Sequence, residues 1–177
     1  LYDWATRKVV WQQPVTAGIQ HSEFCAASKS EAYVKDWNLF VRTADGKAHQ
    51  VSKDGTRQLQ YGMSVHRNEF GINEGTFFSP SGKLLAFYRM DQSMVTDFPL
   101  IDISPRVAQL APEAYPMAGM TSHKVQVGIY NPETETTVYL QTGDPTDRYF
   151  TNIAWSPDEK TVYVIELPRT QDKAELV

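Results

Sequence analysis

Two β-hairpin signatures alternate along this chain, and their alternation limits the available folds more than any other property of the sequence. The first is an apolar pair, a Ser-Pro or similar polar turn, and a β-rich return run. It is clear in Phe77-Phe78-Ser79-Pro80-Ser81-Gly82-Lys83-Leu84-Leu85-Ala86-Phe87 and in Ala154-Trp155-Ser156-Pro157-Asp158-Glu159-Lys160-Thr161-Val162-Tyr163-Val164. A worn copy lies at Phe24 to Val34. The second is a strand holding an aromatic residue, then a turn and another strand, at residues 1–11, 39–51 and 128–140. Pro, Gly and Asp set the turns in both kinds.

The spacing identifies the repeating unit. Tyr2 and Phe40 are 38 residues apart, close to the ~40–45 residues of one four-stranded propeller blade. From Phe40 to Tyr130 is 90 residues, about twice that period. Only one Ser-Pro hairpin falls between them, so one blade should carry a long insertion. Residues 90 to 120 hold Pro99, Pro105, Pro112 and Pro116. Prolines interrupt ladders, so this stretch should project as an arm, with a weak short-helix signal at Ser104 to Leu110. The expected fold is all-β: several consecutive four-stranded blades of a β-propeller, an incomplete ring, and one long inserted arm.

Composition excludes several classes. The 177 residues carry a net charge of −4 with scattered Lys and Arg, which argues against nucleic-acid binding. No stretch approaches the ~18 apolar residues of a helical membrane span. Leu1-Tyr2-Asp3-Trp4 reads as the middle of a strand, and an apolar pattern is beginning at Val177, so a fragment is expected. Cys25 is the one cysteine and is expected as a small buried hydrophobe. His21, His49, His66 and His123 show no ligand spacing, so neither a metal nor another cofactor is expected. His66 is expected to be structural. No Gly-x-Ser-x-Gly elbow is present, nor a Ser, Asp and His order suited to a hydrolase.

One segment departs from the strand pattern. Val65-His66-Arg67-Asn68-Glu69-Phe70-Gly71-Ile72 puts a charged loop directly before the clearest Ser-Pro hairpin. A carboxylate held at the mouth of a propeller can capture a cationic ligand group. Glu69 is the candidate for that contact, Asn68 a neighbouring hydrogen-bond acceptor, and Arg67 the group placed to orient Glu69. The plainer reading is that Glu69 pairs with Arg67 or caps a turn.

With these residues in view, the chain resembles the N-terminal propeller of the dipeptidyl peptidase IV family of serine exopeptidases along nearly its whole length. The resemblance rests on Ser64 to Phe70, Leu85 to Asp91, Tyr115-Pro116-Met117-Ala118-Gly119, Lys124 to Asn131 and Trp155-Ser156-Pro157. It implies an eight-bladed propeller capping an α/β-hydrolase domain that lies outside these residues. It implies cleavage after proline near the free N-terminus of peptides, and a periplasmic or secreted location. In that family two adjacent glutamates bind the substrate α-ammonium group, and their places fall on Asn68 and Glu69. The single carboxylate resembles the bacterial enzymes and the prolyl tripeptidyl peptidase branch, leaving dipeptide and tripeptide release both open. The family also uses the arm to reach a second subunit, which suits the apolar Met90, Met94, Val95, Phe98, Leu100, Ile101 and Ile103. A fold-back of the arm over its own blade is the plainer alternative. A non-catalytic binding scaffold is the alternative for the whole chain.

Overall fold

In the computed structural model, which describes residues 1–13 and 15–177, each hairpin signature takes a fixed place in a repeating antiparallel unit. Strands β1 (Tyr2–Asp3) and β2 (Lys8–Val9) form a hairpin of the second kind. The first blade follows as a meander of β3 (Ile19–Cys25), β4 (Ser30–Lys35), β5 (Asn38–Arg42) and β6 (Ala48–Gln50). Its worn Ser-type turn joins the first strand to the second, and its second-kind hairpin joins the third to the fourth.

The second blade repeats this order with one change. Its first strand is split into β7 (Leu59–Tyr61) and β8 (Thr76–Phe78), which both pair along β9 (Leu85–Asp91). The arm then runs through β10 (Asp97–Phe98), β11 (Ile101–Asp102), β12 (Gln109–Leu110) and β13 (Glu113–Ala114). Strands β14 (Lys124–Asn131) and β15 (Thr136–Tyr139) complete the blade, Lys124 facing Asp91 across the ladder from which the arm departs. The third blade comprises β16 (Arg148–Trp155), β17 (Val162–Pro168) and β18 (Glu175–Leu176). These consecutive blades do not close a ring.

The long gap between repeats thus has two sources, the arm and the interruption of the first strand. The arm is more ordered than its prolines suggest. Strand β10 pairs with β13 and β11 with β12, giving an extended two-stranded ribbon. The helix signal at Ser104 to Leu110 is not realised, because Gln109 and Leu110 are held in the ribbon opposite Asp102 and Ile101. Met90 belongs to the blade and is buried there, whereas Ile101, Ile103, Val107 and Leu110 of the ribbon are exposed. At the arm's base, Arg57 donates to Asp97 at 2.9 and 3.3 Å and to the Pro112 carbonyl at 2.7 Å.

The core lies between blades. Strand β9 is apolar at successive positions because both of its faces are covered. Leu85 and Phe87 point toward the first blade, joining Val34, Leu39 and Val41. Ala86, Tyr88 and Met90 point toward the third, joining Val127, Phe150 and Val164. The Ser-Pro hairpins also link blades, since Trp155 Nε1 donates to the Phe77 carbonyl at 2.9 Å and Ser81 Oγ donates to Glu159 at 2.7 Å. Cys25 is only half-buried, its Sγ lying beside Gly82 of the second blade.

Phe87 is fully buried at the first blade boundary and packs edge-on against Tyr139. Phe87→Ala should therefore cost about 3–5 kcal/mol, read as a lower urea midpoint at unchanged slope. A loss below about 1 kcal/mol would show that the boundary closes over the cavity.

Candidate functional site

The break in the first strand of the second blade creates the site. Tyr61 pairs with Arg89 and Thr76 with Phe87, so Tyr88 lies at the point of interruption. Its carbonyl accepts from Gly62 N–H at 2.8 Å, and its own N–H donates to the Gly75 carbonyl at 3.0 Å. Residues 63–74 leave and re-enter the sheet through this glycine neck without leaving Tyr88's backbone groups unmet. The neck requires glycine at both ends. Gly62 has φ +69°, and a Cβ at Gly75 would stand 2.3 Å from the Met63 carbonyl.

The excursion carries a six-residue 3₁₀ turn, His66–Gly71. It is closed by Asn68 N–H to the Val65 carbonyl and Ile72 N–H to the Glu69 carbonyl, both 3.1 Å. Within it His66, Asn68 and Phe70 take φ of 52°, 61° and 56°. Left-handed backbone costs a non-glycine residue about 1–2 kcal/mol, so surrounding contacts must hold the turn. Val65 and Ile72 supply part of this, because both are buried in the core at either end of the turn. Their burial contributes roughly 1.5–3 kcal/mol each. Phe70 adds a ring contact to Tyr149 at 5.3 Å.

His66 supplies directional contacts. Its ring is buried, and Phe150 N–H of β16 donates to His66 Nε2 at 3.2 Å. That bond requires a bare Nε2, so the proton sits on Nδ1 and is donated to His123 Nε2 at 2.8 Å. The His66 ring is neutral in this arrangement. Burial and the neighbouring His123 push the His66 pKa down from its ordinary 6.5 to about 3. Histidines far apart in sequence are thus joined, though among the described residues no group of three or more His, Cys, Asp or Glu side chains could hold a metal ion.

Glu69 projects from the exposed side of the turn into a cavity of about 190 Å³, whose walls include His66, His123, Tyr115 and Tyr149. Among the described residues no basic group forms an ion pair with its carboxylate. Arg169, on the same cavity, donates to Asp147 at 3.0 Å. Asn68 is exposed too, but it lines a neighbouring cavity of about 440 Å³ with Arg57, Gln60 and Met63. His123 borders both cavities. The side chain of Arg67 lies outside the described residues. Sequence reasoning identified Glu69 but missed the glycine neck, the His66–His123 bond and the Tyr115 and Tyr149 walls. The Gly62 to Gly75 bracket around a charged segment was the available signal for the neck.

Comparison with known proteins identifies the family. The family described as Dipeptidyl peptidase IV (DPP IV) N-terminal region matches residues 1–177. The chain belongs to this family. An inferred dipeptidyl-aminopeptidase B of Phaeosphaeria nodorum is 29% identical over 181 residues, covering 92% of this chain and 20% of that protein. Another from Pyrenophora teres f. teres is 28% identical over 178 residues, covering 90% and 20%. A Bacteroides ovatus structure described provisionally as a dipeptidyl aminopeptidase IV superposes with a TM-score of 0.86 at 52% identity, covering 99% of this chain and 24% of that one. Porphyromonas gingivalis dipeptidyl peptidase 4 shares the fold, with a TM-score of 0.82 at 23% identity over 93% of this chain and 24% of its own. The chain therefore spans about a fifth of these curated relatives and a quarter of these solved chains.

The depressed His66 pKa has a definite sign in stability. Between pH 6.5 and about 3 the unfolded chain protonates this histidine and the folded chain does not, so acid favours unfolding. Stability should fall by up to about 1.4 kcal/mol per pH unit below pH 6.5 on account of His66. Thermal unfolding of wild type and His66→Phe between pH 7 and 5 checks this, the variant showing the shallower slope.

Proposed function

We propose that this dipeptidyl peptidase IV N-terminal region reads the free amino terminus of peptides for a proline-specific serine exopeptidase. Its α/β-hydrolase domain and catalytic triad are assigned to sequence outside these 177 residues. The observation that carries the reading is Glu69, an exposed carboxylate without a described ion-pair partner, on a pinned turn and facing a cavity whose His66 wall is neutral. A substrate α-ammonium is the complement such a carboxylate lacks. In a partly enclosed site that pair interacts more strongly than in bulk water, where two charges 4 Å apart gain only about 1 kcal/mol.

Holding the ammonium at a fixed point sets the distance to the nucleophile, so the region acts as a ruler for the released fragment. Asn68 offers an amide oxygen at the border of the adjoining cavity, in the place of a second carboxylate, and Arg67 is assigned the orienting role beside Glu69. One charge in place of two accommodates dipeptide or tripeptide release. Relatives named as dipeptidyl-aminopeptidases support the parent activity. The exposed ribbon of the arm is assigned to contact with a second subunit, and the protein to the periplasm or exterior. No described helix is long and apolar enough to cross a membrane.

In the full-length enzyme, Glu69→Ala should lower kcat/KM on peptides with a free amino terminus by roughly a hundredfold, about 3 kcal/mol. Unchanged kinetics would remove Glu69 from the site. Asn68→Glu should shift product toward the dipeptide on substrates with proline at the second or third position, scored by mass spectrometry. An unaltered product ratio would count against the place given to Asn68. Absence of peptide release by the wild-type enzyme would favour a non-catalytic scaffold.

A further inference from the structure

Glu69 stands on a turn whose own sequence does not compel its shape. His66, Asn68 and Phe70 all adopt left-handed backbone, and among the described residues the backbone hydrogen bonds internal to the excursion close its two ends. Among the described residues, side chains that reach outside the turn fix it relative to the rest of the protein. Val65, Phe70 and Ile72 do so through apolar packing, which resists burial loss but tolerates sliding. His66 reaches outside it with two directional bonds. Nε2 accepts from Phe150 N–H in the third blade, and Nδ1 donates to His123, adjacent to Lys124 where the arm rejoins the second blade.

We propose that His66, through this two-bond bridge, is a positioning residue for amino-terminus recognition, setting where Glu69 stands relative to the blade that follows. The proposal rests on the reading of Glu69 given above. The bridge ties three segments to one ring: the excursion, the end of the arm and the first strand of the third blade. Its bond pattern is also specific in chemistry. The position needs an acceptor toward Phe150 and a donor toward His123, a pair that a phenylalanine ring lacks and a glutamine side chain retains. His66 also lines the cavity that Glu69 faces, and its two bonds act on the substrate through the placement of Glu69.

The test uses the full-length enzyme with His66→Phe, His66→Gln and Glu69→Gln, assayed on peptides with a free amino terminus and followed by hydrogen exchange. His66→Phe is expected to raise KM about tenfold with kcat altered less than threefold, and to speed amide exchange at residues 66–72 and at Phe150. His66→Gln should restore KM to within about threefold of wild type, which loss of general stability would not allow. If Glu69→Gln raises KM and His66→Phe does not, or if exchange of the turn is unchanged, His66 has no positioning role. If Glu69→Gln leaves KM unchanged, amino-terminus recognition by Glu69 is itself wrong and the role of His66 falls with it. Should His66→Phe not accumulate, His123→Phe removes one of the two bonds and is expected to raise KM about threefold, with no change overturning the bridge.

Discussion

The backbone of Tyr88 is where the sheet and the site depend on each other. A strand buried on both faces cannot leave a peptide group unpaired without a cost of about 1–3 kcal/mol. Its neighbour strand nevertheless departs at this rung. Gly62 and Gly75 resolve the conflict by approaching from either side, one donating to Tyr88 and the other accepting from it. The blade keeps its ladder, and the residues between the glycines become free to form something other than a strand. A side chain at Gly75 would strike the Met63 backbone, so the neck cannot be built from other residues at this spacing.

What the neck releases, the adjoining blade holds. The excursion returns Val65 and Ile72 to the same core that contains Tyr88, Met90 and Phe150. His66 adds a bond to Phe150 N–H across the blade boundary. The turn is therefore part of the packing between the second and third blades, and it presents polar residues outward on a rigid support. This division explains how a segment with unfavourable backbone angles persists, since interblade packing and a buried neutral histidine bridge offset the strain. The dependence on neutrality follows from Phe150. Its N–H can donate only to an unprotonated nitrogen, and protonation of the ring would set two donors against each other.

Much of the architecture was legible in the sequence because blade strands are local. Ser79-Pro80 and Ser156-Pro157 announced the first hairpin of two blades, and the residue pattern around Tyr130 announced the last, since turn chemistry acts over a few residues. The arm was legible as a break in that rhythm, but its ribbon was not, because its short ladders depend on pairing across the arm between segments that carry prolines. Met90 was misread as part of the arm because an apolar residue beside a boundary has no local mark of its side. Glu69 stood out as a carboxylate in a charged loop, whereas the separation of Asn68 from it did not, since adjacent residues in a left-handed turn diverge in ways a linear pattern does not encode.

The sequence by itself determined the all-β blade repeat, the existence and place of the arm, and the charged excursion before the Ser79-Pro80 hairpin. These follow from periodicity and turn residues, which act between near neighbours. Tertiary structure alone decided that the excursion splits a strand, that His66 meets His123 and Phe150, and that Glu69 and Asn68 open on different cavities. Each of those outcomes depends on contacts between segments tens of residues apart, whose partners are chosen by how blades stack and not by any property of the segments alone.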